Sequence, residues 1–314
     1  MRRVALAVAA FVVALAAVDA GAPAAAGDAA PLTVAEVAPG VFVHQAPYAL
    51  IAPANRGDIA NVGFVVGEAA VAVVDSGGSP AVGRALLAAV RAHTDKPIRY
   101  VVNTHVHPDH LLGNEAFRGE GTAFVGHRKL ARALAARAPF YLDQAARQLA
   151  PADAAGIELV PPDIAVDGML RLDLGGRALV LEAHPTAHTD ADLTVLDEAT
   201  GTWFLGDLLF VGHLPTLDGS LTGWLAEMDR LAARQVAHVV PGHGPLDLGW
   251  PAALAPQRRY LERLAAGVRR EIAAGRSIAQ AAEEVGIEER DAWALFETFN
   301  PHNVTAAYQE LEWE

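Results

Sequence analysis

Hydrophobic and polar positions along the chain predict a succession of strands and helices. Short apolar runs at 40–46 (GVFVHQA), 61–67 (NVGFVVG) and 69–77 (AAVAVVDSG), broken by Gly and Asn, predict β-strands. Residues 79–95 switch to helical spacing, with Ser79 as N-cap and Pro80 at the first helical position. The run at 98–105 (IRYVVNTH) then predicts a buried strand, so strand, helix and strand imply a crossover onto one shared sheet. Residues 128–154 are Ala/Arg-rich and helical. Further β-runs lie at 168–185, with a Gly-Gly turn, at 192–207, with a Thr-Gly turn, and at 236–243, with a helix-like stretch at 221–235 before the last. From Pro251 onward the pattern is helical and amphipathic, and Trp293, Phe296 and Trp313 are expected to pack the terminal helices onto the domain. Two β-rich blocks with interleaved helices predict an α/β fold of two sheets packed face to face with helices outside.

The N-terminus adds a different element. Arg2 and Arg3 precede an apolar stretch from Val4 to Val18, followed by small residues that include Ala22-Pro23-Ala24. That order predicts a secretory signal peptide over residues 1–26, hence a periplasmic or otherwise exported protein without stable membrane insertion after its removal. The chain contains no cysteine, so any metal site must be built from His and carboxylates. A 52% hydrophobic, 19% charged composition supports a sizeable core, and a formal charge of −13 disfavours nucleic acid as a partner.

The candidate chemistry sits at the end of the 98–105 strand, where THVHPDH (104–110) places three of the chain's twelve histidines beside an aspartate. Imidazoles this close repel one another when protonated, and a metal ion removes that conflict because neutral imidazole is a good ligand. His105 and His107, one residue apart, can reach one ion. Asp109 and His110 follow Pro108, which opens a turn that swings them toward a second position. Three more candidates border apolar runs elsewhere: His188 in AHTDAD, Asp207 in FLGDLLF and His243 in VPGHGP. His184, four residues before His188, competes with it. His213 and Asp218, in the segment leaving Asp207, are candidates for substrate contact or for holding that loop. His44, His93, His127 and His238 read as surface or satisfied core histidines.

The ordered set His-x-His-x-Asp-His, then His, Gly-Asp and Gly-His-Gly, resembles the metallo-β-lactamase superfamily over roughly residues 40–245. The resemblance implies a metallo-β-lactamase-type αββα sandwich, here over 32–250, with a helical C-terminal extension over 251–314. It implies His105, His107 and His188 on a first metal, Asp109, His110 and His243 on a second, and Asp207 bridging them. VVDSGG (73–78) is similar to the family's strand-end turn, with Asp75 supporting the site through hydrogen bonds. Two zinc ions per chain are the implied cofactors, activating a hydroxide that attacks the substrate while Asp109 ligates and handles the proton. A carboxylate at 207 resembles the glyoxalase-II-like members rather than lactamases that use cysteine there.

THVHPDHLLGN, AHTDADLTV, GDLLFVGHLPTLDGSLTGW, VVPGHGP and the ending NVTAAYQELEWE further resemble the SoxH-like proteins, or quinoprotein relay system zinc metallohydrolases. That likeness implies a context, an exported protein alongside a periplasmic quinoprotein dehydrogenase or sulfur-oxidation partner, and no particular substrate; the leading reading is a di-zinc hydrolase of a small-molecule ester, thioester or amide. Two other readings stay open: a persulfide-dioxygenase-like oxidoreductase using one iron, and a non-catalytic periplasmic binding or assembly protein. His and Asp alone do not fix the metal.

Overall fold

The computed structural model describes residues 30–119 and 121–314. The expected signal peptide, residues 1–26, lies outside the described residues. Among the described residues no helix is long and apolar enough to cross a membrane.

The first sheet opens with β1 (Ala35–Ala38), β2 (Val41–His44), β3 (Val62–Val66) and β4 (Val71–Val74), each antiparallel to the next. Helix α1 (Pro80–His93) carries the chain to β5 (Ile98–Val102), parallel to β4 as the crossover pattern predicts. Ser79 caps this helix by accepting from the Val82 amide, with Pro80 at the first turn. The short helix α2 (Pro108–Leu111) follows. Then come β6 (Ala123–His127), α3 (Leu130–Gln148), α4 (Pro151–Ala154) and β7 (Ile164–Val166), with β6 and β7 extending the parallel edge. The second sheet contains β8 (Met169–Asp173), β9 (Ala178–Ala183), β10 (Leu193–Asp197), β11 (Thr202–Phe210) and, after α5 (Leu221–Ala232), β12 (His238–His243). Neighbours from β8 to β11 are antiparallel, and β12 joins β11 in parallel. Helices α6 (Ala255–Ala273), α7 (Ile278–Glu284) and α8 (Phe296–Leu311) complete the chain.

Burial defines the layers. Val43, Val65, Val74 and Val102 of the first sheet meet Leu179, Leu181, Val195 and Phe204 of the second between the sheets. α1 covers the outer face of the first sheet through Leu86 and Val90 against Phe64 and Val73. The outer face of the second sheet packs Trp203 and Leu205 against Trp224 of α5, Leu261 and Leu264 of α6 and Val304 of α8. β11 is therefore buried along its whole length, which explains the apolar residues on both of its faces either side of Gly206 and Asp207. The C-terminal helices share this core with the second sheet, and Trp293 and Phe296 pack within it. Trp313 does not: it is 84% exposed, because it follows the last turn of α8.

β1, β6 and β7 were not expected from sequence. They are only three to five residues long, too short for alternation to mark them, and pairing with β2, β5 and one another makes them strands.

Candidate metal centre

The crossover strand β5 ends where the histidine-rich loop begins, and the other ligand residues come from the second sheet. His188 lies between β9 and β10, Asp207 on β11 and His243 at the end of β12. Two glycines make this convergence possible. Gly206 adopts φ +51°, where the β11–β12 register shifts; a Cβ there would sit 2.6 Å from Thr104 Oγ1. The irregularity turns Asp207 toward the loop. A Cβ on Gly242 would lie 1.8 Å from Asp207 Oδ1, so the glycine before His243 leaves room for the carboxylate.

The structure brings the seven candidate ligands into two adjoining groups: His105, His107, His188 and Asp207, and Asp109, His110 and His243. Within each, the ligand atoms lie within 4.8 Å of one another. Asp207 touches both groups, with Oδ2 3.3 Å from His188 Nε2 and 3.5 Å from His243 Nε2, and Oδ1 3.1 Å from His110 Nε2. Asp109 Oδ2 lies 3.3 Å from His243 Nε2. His107 Nδ1 faces the first group, 3.0 Å from His188 Nε2. His184 stays outside both groups, bonded to Glu227 Oε1 and Thr194 Oγ1.

The imidazoles are aimed by partners on their other nitrogens, the arrangement that fixes the tautomer of a metal ligand. His188 Nδ1 donates to the Thr216 carbonyl at 2.7 Å, leaving Nε2 as the ligand atom. His110 Nδ1 donates to Asp75 Oδ2 at 2.8 Å. His105 Nδ1 faces Thr104 Oγ1 at 3.0 Å, and Thr104 in turn donates to Asp75 through its hydroxyl and its amide. Asp75 therefore supports two ligands at once. His107 Nε2 lies 3.2 Å from Asp218 Oδ2. His243 is held by ring packing instead, its centroid 5.0 Å from Phe210 in a stacked pair and 4.8 Å from His213.

The donor set fits divalent metal ions. His105 Nε2, His110 Nε2 and Asp207 Oδ1 are buried at the point of convergence and make no hydrogen bond, a costly arrangement for polar atoms with no other purpose. The charges agree. Burial pushes the Asp207 carboxyl pKa up, but His110, His243 and His105 outweigh it and hold the group well below its usual range. Burial likewise raises Asp109, and His110 and His243 overcome it, so both carboxylates stay ionised. Burial lowers the His188 pKa to about 3, which keeps it neutral. His243 is drawn the other way: burial lowers it, yet Asp207 and Asp109 raise it to about 9. The field that attracts protons to this cluster also attracts dications.

A cavity of about 650 Å³ opens onto the centre, lined by Asp109, Asp207 and His243 at its floor. His213 and Asp218 both line it. His213 is buried, its Nδ1 donating to the Leu214 carbonyl, and burial with the nearby His243 lowers its pKa to about 4, so it presents a neutral ring. Asp218 is committed to His107 and to Arg137 Nη2 at 3.0 Å. Sequence reasoning missed Arg137, Phe140 and Tyr141 from α3 and Phe299 and His302 from α8, all on the cavity wall. Nothing in their local sequence marks them. Thr104 was detectable as the residue that positions the first ligand histidine. The remaining histidines are accounted for locally: His44 bonds Asp58 and the Thr33 carbonyl, His127 accepts from the Lys129 amide, His93 packs on Phe42, and His238 is exposed.

A family model described as the metallo-beta-lactamase superfamily matches residues 55–243. Among curated proteins, a linear primary-alkylsulfatase from Pseudomonas sp. is 48% identical over 48 residues, 15% of this chain and 9% of that protein. Among solved structures, the stereoselective inverting sec-alkylsulfatase Pisa1 from Pseudomonas sp. matches with a TM-score of 0.70 and 17% identity, over 89% of this chain and 50% of that one. A metallo-beta-lactamase from Pontibacter korlensis matches with a TM-score of 0.60 and 21% identity, over 74% of this chain and 99% of that one. The chain thus spans about half the length of the alkylsulfatase structure and matches a small part of the curated relative. At these identities the structural likeness is one of fold.

Proposed function

Because the chain belongs to the metallo-β-lactamase superfamily, we propose that it is a metal-dependent hydrolase whose two ligand groups hold two zinc ions. The observation that carries this reading is the pair of adjoining ligand groups with Asp207 touching both, at the floor of an open cavity. Such a pair of ions lowers the pKa of a water molecule and polarises the bond under attack. The chain's own residues do the rest. Asp109, facing both His243 and the cavity, is placed to orient the attacking water and to help move the water's proton to the leaving group. Thr216, Thr104 and Asp75 hold the imidazoles in one tautomer, and the ring of Phe210 keeps His243 in place.

The substrates proposed are small esters, thioesters or amides, and the alkylsulfatases among the relatives add sulfate esters to that set. On the resemblance to the SoxH-like proteins, we place the enzyme outside the cytoplasm beside a quinoprotein or sulfur-oxidation system. Metal content of protein purified from its own cells without added metal tests the central reading. About two zinc per chain, with hydrolysis lost on chelation and restored by zinc, is the expected result. About one iron per chain would replace it with oxygen-dependent sulfur chemistry. Protein that binds neither metal would leave a non-catalytic binding role.

A further inference from the structure

We propose that Arg137 and Tyr141, on the cavity face of α3, form an anion-binding subsite beside the metal centre, so that the preferred substrate is a small amphiphile carrying an anionic group. The proposal rests on the hydrolase reading only in taking this cavity as the place where substrate binds.

The helix is built in two faces. Arg137, Tyr141, Gln144 and Gln148 follow one another at spacings of four, three and four residues, and all line the cavity. That spacing puts them on one side of a helix. Asp143 and Arg147, on the other side, are exposed and pair with each other. A polar stripe facing inward needs a reason, because an amphipathic helix otherwise turns its apolar residues inward.

Two features of the stripe point to an anion. Arg137 is the sole arginine or lysine among the described residues that line the cavity. Its Nη2 donates to Asp218, and its other donors make no hydrogen bond among the described residues, so a planar fork remains for an oxyanion. Tyr141 is 4% exposed, and its buried hydroxyl has no hydrogen-bond partner. Burial raises the phenol's pKa, so it stays protonated and can donate. The hydroxyl lies within electrostatic reach of Arg137, Asp109 and Asp218 and bonds none of them. What it lacks is an acceptor, and an anionic group held by Arg137 supplies one.

The remaining wall sets the other half of the ligand. Leu50, Ile51, Ile59, Phe140 and Phe299 line the same cavity, and Leu50 and Phe140 are exposed at its rim. An apolar arm laid over them would cover side chains that otherwise face water. The protein's net charge of −13 opposes anions at long range, so selectivity for one has to come from a local cation such as Arg137.

Calorimetric titration of the zinc-loaded full chain with hexyl sulfate, hexanoate and the neutral 1-hexanol tests this. The anions should bind at least about tenfold more tightly than 1-hexanol, and Arg137→Gln should remove most of that difference while leaving 1-hexanol unchanged. Tyr141→Phe should weaken the anions by about three- to tenfold with metal content intact. Arg137→Lys should recover part of the loss, which a role confined to holding Asp218 does not require. Because Arg137→Gln also touches the Asp218–His107 contact, Tyr141→Phe decides the matter if that variant sheds metal. Equal losses for anions and 1-hexanol, or no loss of anion affinity in Tyr141→Phe, would overturn the proposal. Arg137-dependent anion binding without any hydrolysis would sink the hydrolase reading and leave the subsite standing. Hydrolysis of neutral esters, with anion affinity indifferent to Arg137 and Tyr141, would do the reverse.

Discussion

Two loops feed the candidate metal centre, and they are held in opposite ways. The 103–110 loop is anchored by its own neighbourhood: Asp75, at the end of the adjacent strand β4, accepts from Thr104 and His110, while Asn103, Ser76 and Asn114 bond one another beneath it. The 212–220 loop is anchored from the far end of the chain. Asn303 of α8 accepts from the Leu217 amide at 2.9 Å and donates to the Pro215 carbonyl at 2.7 Å, and His302 Nε2 lies 3.1 Å from the Leu217 carbonyl. That loop presents Thr216 to His188 and Asp218 to His107. One metal loop is thus positioned by the sheet that produces it. The other depends on the C-terminal helices, which makes them part of the centre's construction.

The harshest test removes the group the two ligand sets share. Asp207→Ala should abolish activity by more than the roughly 100-fold that outer hydrogen-bond partners typically cost, and should lower metal content per chain. A variant that kept full metal and full activity would end the bridging assignment. Next in size is Asp75→Ala. It leaves His110 Nδ1 and the Thr104 amide without their buried acceptor, so metal affinity should fall about 10- to 100-fold at both positions. The cost to folding should be roughly 3 kcal/mol or more, as when one partner of a buried charged contact is lost. Thermal melts with stepwise zinc titration measure both effects.

Asn303→Ala separates the loops. Its contacts reach His188 and His107 but neither Asp109, His110 nor His243, so zinc titration should show the first ligand group weakened by about tenfold while the second is unchanged. Equal weakening of both groups would mean that α8 stabilises the domain as a whole and has no special hold on this loop.

The same contrast explains what was legible in the sequence. The candidate ligands could be read because metal chemistry restricts residue type and spacing within short motifs: His105, His107, Asp109 and His110 share one loop, and glycines precede Asp207 and His243. Asp75 was readable for a related reason, since it ends a strand beside the loop it supports. Asn303 was not, because its partners on the loop lie more than 80 residues away and an asparagine in an amphipathic helix carries no mark of what it will meet. Arg137 and Tyr141 were hidden similarly, in a helix whose Ala/Arg-rich composition reads only as helix. The sandwich followed from the order of strands and helices, whereas β6 and β7, at five and three residues, are too short for alternation to separate them from loop.

The smallest expected effect concerns a charged contact of the distal anchor. Glu310 of α8 accepts from the amides of Leu221 and Thr222 and from the hydroxyls of Ser220 and Thr222, capping α5 where the 212–220 loop ends. Burial alone would raise its pKa, but the hydrogen bonds from Thr222, Leu221 and Ser220 outweigh it and set the value below normal. A carboxyl whose pKa is depressed on folding stabilises the native state above its unfolded value, about 4.5, and that contribution fades as pH falls through the lower folded value. The Asp75 network leaves the nearby loop its own anchor. Glu310→Gln keeps an acceptor but removes the charge, so it should lower the melting temperature slightly at pH 7 and narrow the gap from wild type as pH drops below 4. A gap that stays constant across that range would assign Glu310's role to shape alone, and the distal loop would then be held by Asn303 and His302 without electrostatic help.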